Sequence, residues 1–222
     1  MKLEICYRDK DLVVVVKPAG MPSQPDKTGD EDMCTALEKE LGVSVYPVHR
    51  LDRPVGGLLV YALEKKAAAA LSAAAAGSQM EKRYLAVVTG TLTEPEGQLR
   101  DFLKKNQRKN TAEVVEEKTP GAKEALLDYK VWEQIHTSEN EALTLVEVHL
   151  LTGRHHQIRA QFAHRGNPLW GDQKYNPAFQ RRKGVFPALW AYGLRFVHPR
   201  TKKSMTFESL PQGEAFSYFD RF

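Results

Sequence analysis

Residues 126–150, LLDYKVWEQIHTSENEALTLVEVHL, decide the fold class. Apolar and polar positions alternate through Leu126–His136 and again through Ala142–Leu150, the period of a strand, and the polar stretch Thr137–Glu141 between them turns the chain. Two such runs joined by so short a link form an antiparallel hairpin, because a parallel pair needs a crossover of a dozen or more residues. Trp190–His198 and Ser204–Glu208 repeat the pattern across Pro199–Lys203. Helical signals fall between these strands without regular β-α alternation. The expected class is therefore α+β, with a mixed, largely antiparallel central sheet flanked by helices.

Working outward, the amino terminus Met1–Asp11 is strand-like but interrupted by charges, and Leu12–Val16 is a β-branched block that stops at Lys17-Pro18-Ala19-Gly20, a buried strand closed by turn residues. Leu37 and Leu41 are spaced as on a helix over Met33–Leu41, ended by Gly42. A short extended piece, Val43–Val48, and an apolar strand, Leu58–Leu63, bracket a polar loop, His49–Gly57. Glu64–Ala76 is alanine-rich and followed by Gly77, so propensity and stop signal agree on a helix. Met80–Thr89 reads as a strand buried in part on both faces, ended by Gly90. Leu103–Thr111 carries Lys104, Lys105, Arg108 and Lys109 without an apolar stripe and reads as an exposed basic loop. Ile158 and Phe162, four apart, mark a helix within His155–Arg165. No linker or internal repeat divides the chain, and a single domain over residues 1–222 is expected.

Composition bounds the function. At 42% hydrophobic and 27% charged the chain can build a core, which argues against disorder. Cys6 and Cys34 are the two cysteines, too few for a disulfide framework or a four-thiolate metal site, and a reduced, cytoplasmic setting is expected. Apolar runs such as the five residues Leu12–Val16 fall far short of the ~20 a membrane span requires. A net charge of +4 permits a polyanionic partner without demanding one.

Two polar stretches could carry chemistry. The first places Asp52 among His49, Arg50 and Arg53, between apolar Leu51 and Leu58. A half-buried carboxylate is costly unless paired with a cation, and such pairing also holds it ionised, fit to act as a nucleophile or base. A structural ion pair with Arg50 is the plainer alternative. The second is Leu151-Thr152-Gly153-Arg154-His155-His156-Gln157-Ile158-Arg159, a strand-to-helix junction whose backbone N–H groups and arginines suit a phosphate or a carboxylate. His155, His156 and His164 raise the question of a metal. On a helix, adjacent His155 and His156 diverge by about 100°, and Gln161 stands one turn before His164 in place of a carboxylate, so no metal is expected.

Taken together the motifs are more specific. Lys17-Pro18-Ala19-Gly20, His49-Arg50-Leu51-Asp52 with Gly57, Lys82-Arg83-Tyr84-Leu85-Ala86-Val87-Val88-Thr89-Gly90, Thr152–Arg159 and Gly166-Asn167-Pro168-Leu169-Trp170-Gly171-Asp172-Gln173-Lys174-Tyr175 occur in the order of one family. The chain resembles the RluA-like pseudouridine synthases. That resemblance implies their fold with an active-site cleft, and isomerisation of uridine in ribosomal or transfer RNA: the N1–C1′ bond breaks, the base turns, and C5 bonds to C1′. It implies Asp52 as the catalytic aspartate, Tyr84 as the tyrosine that stacks on the base and helps remove the C5 proton, and Arg159 as the basic partner of the aspartate. Arg50 matches the residue that fills the space of the flipped nucleotide, and His49, Arg154 and Gln157 join it as substrate-binding residues. Base flipping demands a stacking surface, a plug and a polar pocket, which these residue types supply. An isomerisation consumes nothing, so no cofactor is expected.

Departures from the commonest pattern are Val55-Gly56-Gly57 where Thr-Ser-Gly is frequent, His155 for Thr or Ser, and Gln161 where His often follows the arginine. The family often carries an amino-terminal S4-type RNA-binding module; the pattern here begins by about residue 12, so none is expected. RNA affinity is expected to come from Lys104, Lys105, Arg108 and Lys109, from Arg181–Lys183, and from Arg200, Lys202 and Lys203, and to fall with salt. A monomer is expected. A non-catalytic RNA-binding relative and a small-molecule hydrolase using Asp52 are the competing readings.

Overall fold

A computed structural model describes residues 3–77 and 79–222; Met1 and Lys2, the start of the expected amino-terminal strand, and Ser78 lie outside the described residues. In chain order the elements are β1 (Glu4–Arg8), β2 (Leu12–Lys17), α1 (Met33–Leu41), β3 (Tyr46–Pro47), β4 (Gly56–Ala62), α2 (Lys65–Ala76), β5 (Glu81–Thr89), β6 (Glu96–Asn106) and β7 (Thr111–Val115). They continue with β8 (Lys123–His136), β9 (Ala142–Leu150), α3 (Gln157–His164), β10 (Leu189–Val197) and β11 (Ser204–Glu208), plus 3-10 turns at Pro177–Phe179 and Glu214–Tyr218. Two compact units share the chain: one takes the residues up to Lys82 and Trp190–Pro211, the other Arg83–Leu189 and Gln212–Phe222.

In the first unit β2 lies between β1 and β4, antiparallel to both, and every residue of β2 and β4 is buried. Their continuous runs of Val, Leu and Ala are what a strand covered on both faces requires. β4 pairs in parallel with β10 at Trp190↔Gly56 and Ala191↔Gly57, and β11 pairs antiparallel to β10. Gly57 has φ +114°, and a Cβ there would stand 2.4 Å from the Ala191 carbonyl oxygen, so only glycine lets β4 start beside β10. α1 begins at Asp32, whose carboxylate accepts from the Thr35 N–H at 3.1 Å, and ends at left-handed Gly42. α2 spans Lys65–Ala76, one residue short of the expected start because Glu64 is its extended N-cap.

In the same unit His198, Asp9 and Asp11 bring potential ligand atoms within 4.8 Å of one another. Hydrogen bonds use them: His198 Nδ1 accepts the N–H groups of Arg200 and Thr201, which leaves the ring proton on Nε2 to reach Asp9 Oδ2 at 2.8 Å. Asp11 in turn accepts from Arg200 Nε at 2.7 Å. The network ties the turn before β2 to the β10–β11 turn.

The second unit is an antiparallel sheet ordered β5-β9-β8-β6-β7. β8 and β9 are the hairpin read from residues 126–150. α3 packs on the sheet through small residues: Ala160 meets Leu103, Ala112 and Ala125, with Val114 and Tyr175 at the margin, and Phe162 meets Tyr129 edge-on at 5.8 Å. The expected basic loop at Leu103–Thr111 is instead a β6–β7 hairpin. Lys104 pairs with Glu113 and Lys105 with Ala112, while Leu103 is buried opposite Val114. One buried leucine is too faint a period to read, and the charges are those of an exposed strand face. The antiparallel α+β class is as expected. Among the described residues no helix is long and apolar enough to cross a membrane.

Candidate active site

Each unit contributes one polar stretch that carries motif residues. In the first, the loop from β3 to β4 is fixed mainly through its backbone. Val55 N–H donates to the Asp52 carbonyl at 2.9 Å, closing a turn, and the Ser23 hydroxyl brackets Leu51, accepting its N–H at 3.1 Å and donating to its carbonyl at 3.0 Å. Lys17, with none of its side chain exposed, donates to the carbonyls of Pro18, Met21 and Arg53 at 2.9, 2.6 and 3.1 Å. One buried ammonium thus staples the Lys17–Met21 turn to the residue next to Asp52.

Burial pulls the Lys17 pKa down to about 7, the Asp52 carboxylate pulls it up, and Arg53 opposes that. Three carbonyls facing three N–H bonds hold it as the ammonium, since a neutral amine would turn a lone pair on one of them. Lys17, a residue distant in sequence, thus places a positive charge within electrostatic reach of Asp52 inside the same unit. Arg53 turns instead to the Gly20 carbonyl at 3.0 Å, Thr28 and Asp30. Asp52 is half-buried and Arg50 exposed. His49 Nε2 is buried without a hydrogen-bond partner, and burial, with the Lys82 charge adding to it, pushes the ring pKa down to about 3, so the ring is neutral.

In the second unit Tyr84 sits on β5 opposite Val148, 6% exposed. Arg159, on the first turn of α3, is 3% exposed and meets a fully buried Asp172 through two bonds of 2.7 Å, Nε to Oδ2 and Nη2 to Oδ1. Asp172 Oδ1 also accepts the N–H groups of Lys174 and Tyr175 at 3.0 and 3.3 Å. The guanidinium lies 5.2 Å from the centre of the Tyr175 ring, whose hydroxyl accepts the Ala112 N–H at 2.6 Å and bonds His156 Nδ1 at 3.0 Å.

His156 is the N-cap of α3 and has a left-handed backbone, φ +52°, a conformation that costs a non-glycine residue of order 1 kcal/mol or more unless its surroundings impose it. Here they do: Tyr175 holds the ring on one side and the His155 ring stacks on it at 3.9 Å. This corrects the expected 100° divergence of the two histidines, which presumed that both were helical. Burial, with Arg159 nearby, depresses the His156 pKa. Gln157 spends its amide on the junction, accepting from Thr152 Oγ1 and the Arg154 N–H and donating to the Leu126 carbonyl. Arg154 is exposed and donates through Nε to the Glu124 carbonyl at 2.7 Å.

Asp172, Tyr175 and Lys17 carry much of this geometry, and sequence reasoning gave them no role. A buried arginine requires a buried acid, but nothing in the spacing picks Asp172 from 28 acidic residues.

With fold and geometry in place, comparison with known proteins defines the class. The family model described as RNA pseudouridylate synthase matches residues 11–164, and the chain belongs to that family. It is 34% identical over 236 residues to tRNA pseudouridine synthase C of Vibrio vulnificus, covering 99% of this chain and 95% of that one. It is also 34% identical to the RNA pseudouridine synthase YlyB of Bacillus subtilis, over 97% of this chain and 71% of that one. Among solved structures it superposes on human RNA pseudouridylate synthase domain containing 1 with a TM-score of 0.78 at 26% identity, covering 94% and 83% of the two chains. The protein is an RNA pseudouridine synthase, an isomerase that acts on RNA.

Proposed function

We propose that its RNA is a transfer RNA, and that Asp52, Tyr84 and Arg159 do the chemistry on a flipped uridine. The observation that carries the substrate class is the match to the Vibrio vulnificus enzyme named for transfer RNA, which extends over nearly the whole of both chains. The residue roles rest on motif position. Asp52 serves the glycosidic step, in which C1′ leaves N1 and bonds C5 after the base has turned. Tyr84 stacks on the base and helps to take the C5 proton, while N1 gains one, so the reaction is balanced without a cofactor. Arg159 is the basic companion of the carboxylate, and Asp172 fixes its orientation.

Arg50, exposed at the mouth of its loop, fills the space the nucleotide vacates. His49, neutral, adds a hydrogen-bonding edge without a charge. Arg154 and Gln157 serve RNA chiefly by keeping the junction before α3 in shape, since both already bind backbone. The enzyme is taken to act as a monomer in the cytoplasm.

The test supplies the enzyme with unmodified transfer RNA and ribosomal RNA transcripts and counts pseudouridine by nucleoside mass spectrometry. Pseudouridine in transfer RNA at substoichiometric enzyme is the expected result. Modification of the ribosomal transcripts alone would overturn the assignment.

A further inference from the structure

Between Asp172 and Glu208 the sequence holds no acidic residue, and the part of that stretch in the second unit carries Lys174, Arg181, Arg182 and Lys183. Beside these cations stands Phe186, 45% exposed. An exposed phenylalanine forfeits the stabilisation of burial, and here the backbone beneath it is not loose. Gln173 Nε2 donates to the carbonyls of Arg182 and Val185 at 2.6 and 3.0 Å, and Arg182 N–H closes a turn on the Phe179 carbonyl at 3.0 Å.

The Arg182 guanidinium lies 4.9 Å from the centre of the buried Phe179 ring, which packs tilted against Trp170 with ring centres 4.8 Å apart. Gly171, with φ +75°, lets the Phe186 carbonyl come so near that a Cβ would stand 2.2 Å from it. Gln173 is the neighbour of Asp172, the anchor of Arg159. A rigid backbone thus presents an aromatic face to solvent, with Arg181 and Lys183 exposed on the same loop and Arg182 spent on building it.

A flat aromatic face on a loop rich in positive charge fits an unpaired nucleotide: the ring takes the base and the cations its phosphates. Resting on the reading of the enzyme as an RNA pseudouridine synthase, we propose that the loop Gln180–Pro187 is a second RNA contact, where Phe186 stacks on an unpaired base of the substrate and Arg181 and Lys183 hold the adjoining phosphates. Such a contact adds affinity and register without touching the reacting atoms.

The experiment uses the full chain with a transfer RNA transcript and measures Kd by anisotropy beside kcat and KM for pseudouridine formation. Phe186→Ala is expected to raise Kd and KM about tenfold with kcat within about twofold, and Phe186→Trp to restore both. Arg181→Ser with Lys183→Ser is expected to flatten the dependence of log Kd on log salt by about 1.4, two phosphates at about 0.7 each. A Phe186→Ala enzyme with unchanged Kd overturns the proposal, as does Phe186→Trp binding no better than Phe186→Ala. So does a change in sedimentation of the RNA-free variant with Kd unaltered, which would assign the face to a second copy of the chain. The binding arm reads the loop whether or not this RNA is turned over, so failure of the loop is distinct from failure of the substrate class.

Discussion

In the loop that carries Asp52, the fixing contacts end on backbone: Lys17 reaches three carbonyls and the Ser23 hydroxyl holds both polar groups of Leu51. At the start of α3 the strongest contacts join side chains, Arg159 to Asp172 by two bonds, with the Tyr175 hydroxyl between the Ala112 N–H and the His156 ring. The first design sets the path of the main chain on either side of a half-buried carboxylate. The second sets the direction of one guanidinium and leaves it little freedom. A reacting group must exchange partners during turnover, whereas an orienting cation serves best when it does not move.

The contrast can be broken most severely at Asp172. Asp172→Ala strands a buried guanidinium, with an expected loss of about 3–5 kcal/mol in urea unfolding; Arg159→Met combined with Asp172→Leu should recover most of that stability but not the turnover. Stability restored together with activity would deny Arg159 any part in the reaction. Next is Lys17→Met, which leaves three carbonyls without their donor and should cost about 3 kcal/mol at about 1 kcal/mol each. It should also lower kcat more than it raises KM for RNA, because the loop it holds carries the carboxylate proposed to react. Tyr175→Phe removes one hydroxyl shared by a backbone N–H and a ring nitrogen, and an unfolding loss of about 1–2 kcal/mol is expected.

A further effect is a slope in pH rather than a single loss. His49 and His156 are both held neutral by folding, with pKa values below the unfolded value near 6.5. Above about pH 6.5 neither state binds the proton and stability is unaffected. As pH falls below that, the unfolded chain takes up protons that the folded chain refuses, so stability is lost by up to about 1.4 kcal/mol per pH unit for each ring, over a window that for His49 runs down to about 3. Unfolding free energies at about pH 7 and about pH 5 should diverge for the wild type and converge by one proton each in His49→Gln and His156→Asn. An unchanged slope would mean that the rings are protonated in place.

Much of this was legible in the amino-acid order. The β8–β9 hairpin, the buried β2 and the alanine-rich α2 announce themselves because each period or propensity is repeated over many residues. The β6–β7 hairpin does not, since its inward face offers Leu103, Ala112 and Val114 against a run of lysines, and pairing with a neighbour rather than local preference made it strand. Asp52 and Arg159 stood out by motif. Lys17, Asp172 and Tyr175 lie in the quoted motifs but drew no role, because their value lies in partners 36, 13 and 63 positions away, which only the folded chain brings together.

The central claim is that the Asp52 carboxylate does the isomerisation, and release of the C5 hydrogen reports it most directly. With transfer RNA tritiated at uridine C5, the wild type should release tritium to water in step with the pseudouridine formed. Asp52→Asn should bind the same RNA with similar Kd and release tritium slower by on the order of 10⁴-fold or more. Release by Asp52→Asn at the wild-type rate would contradict the account.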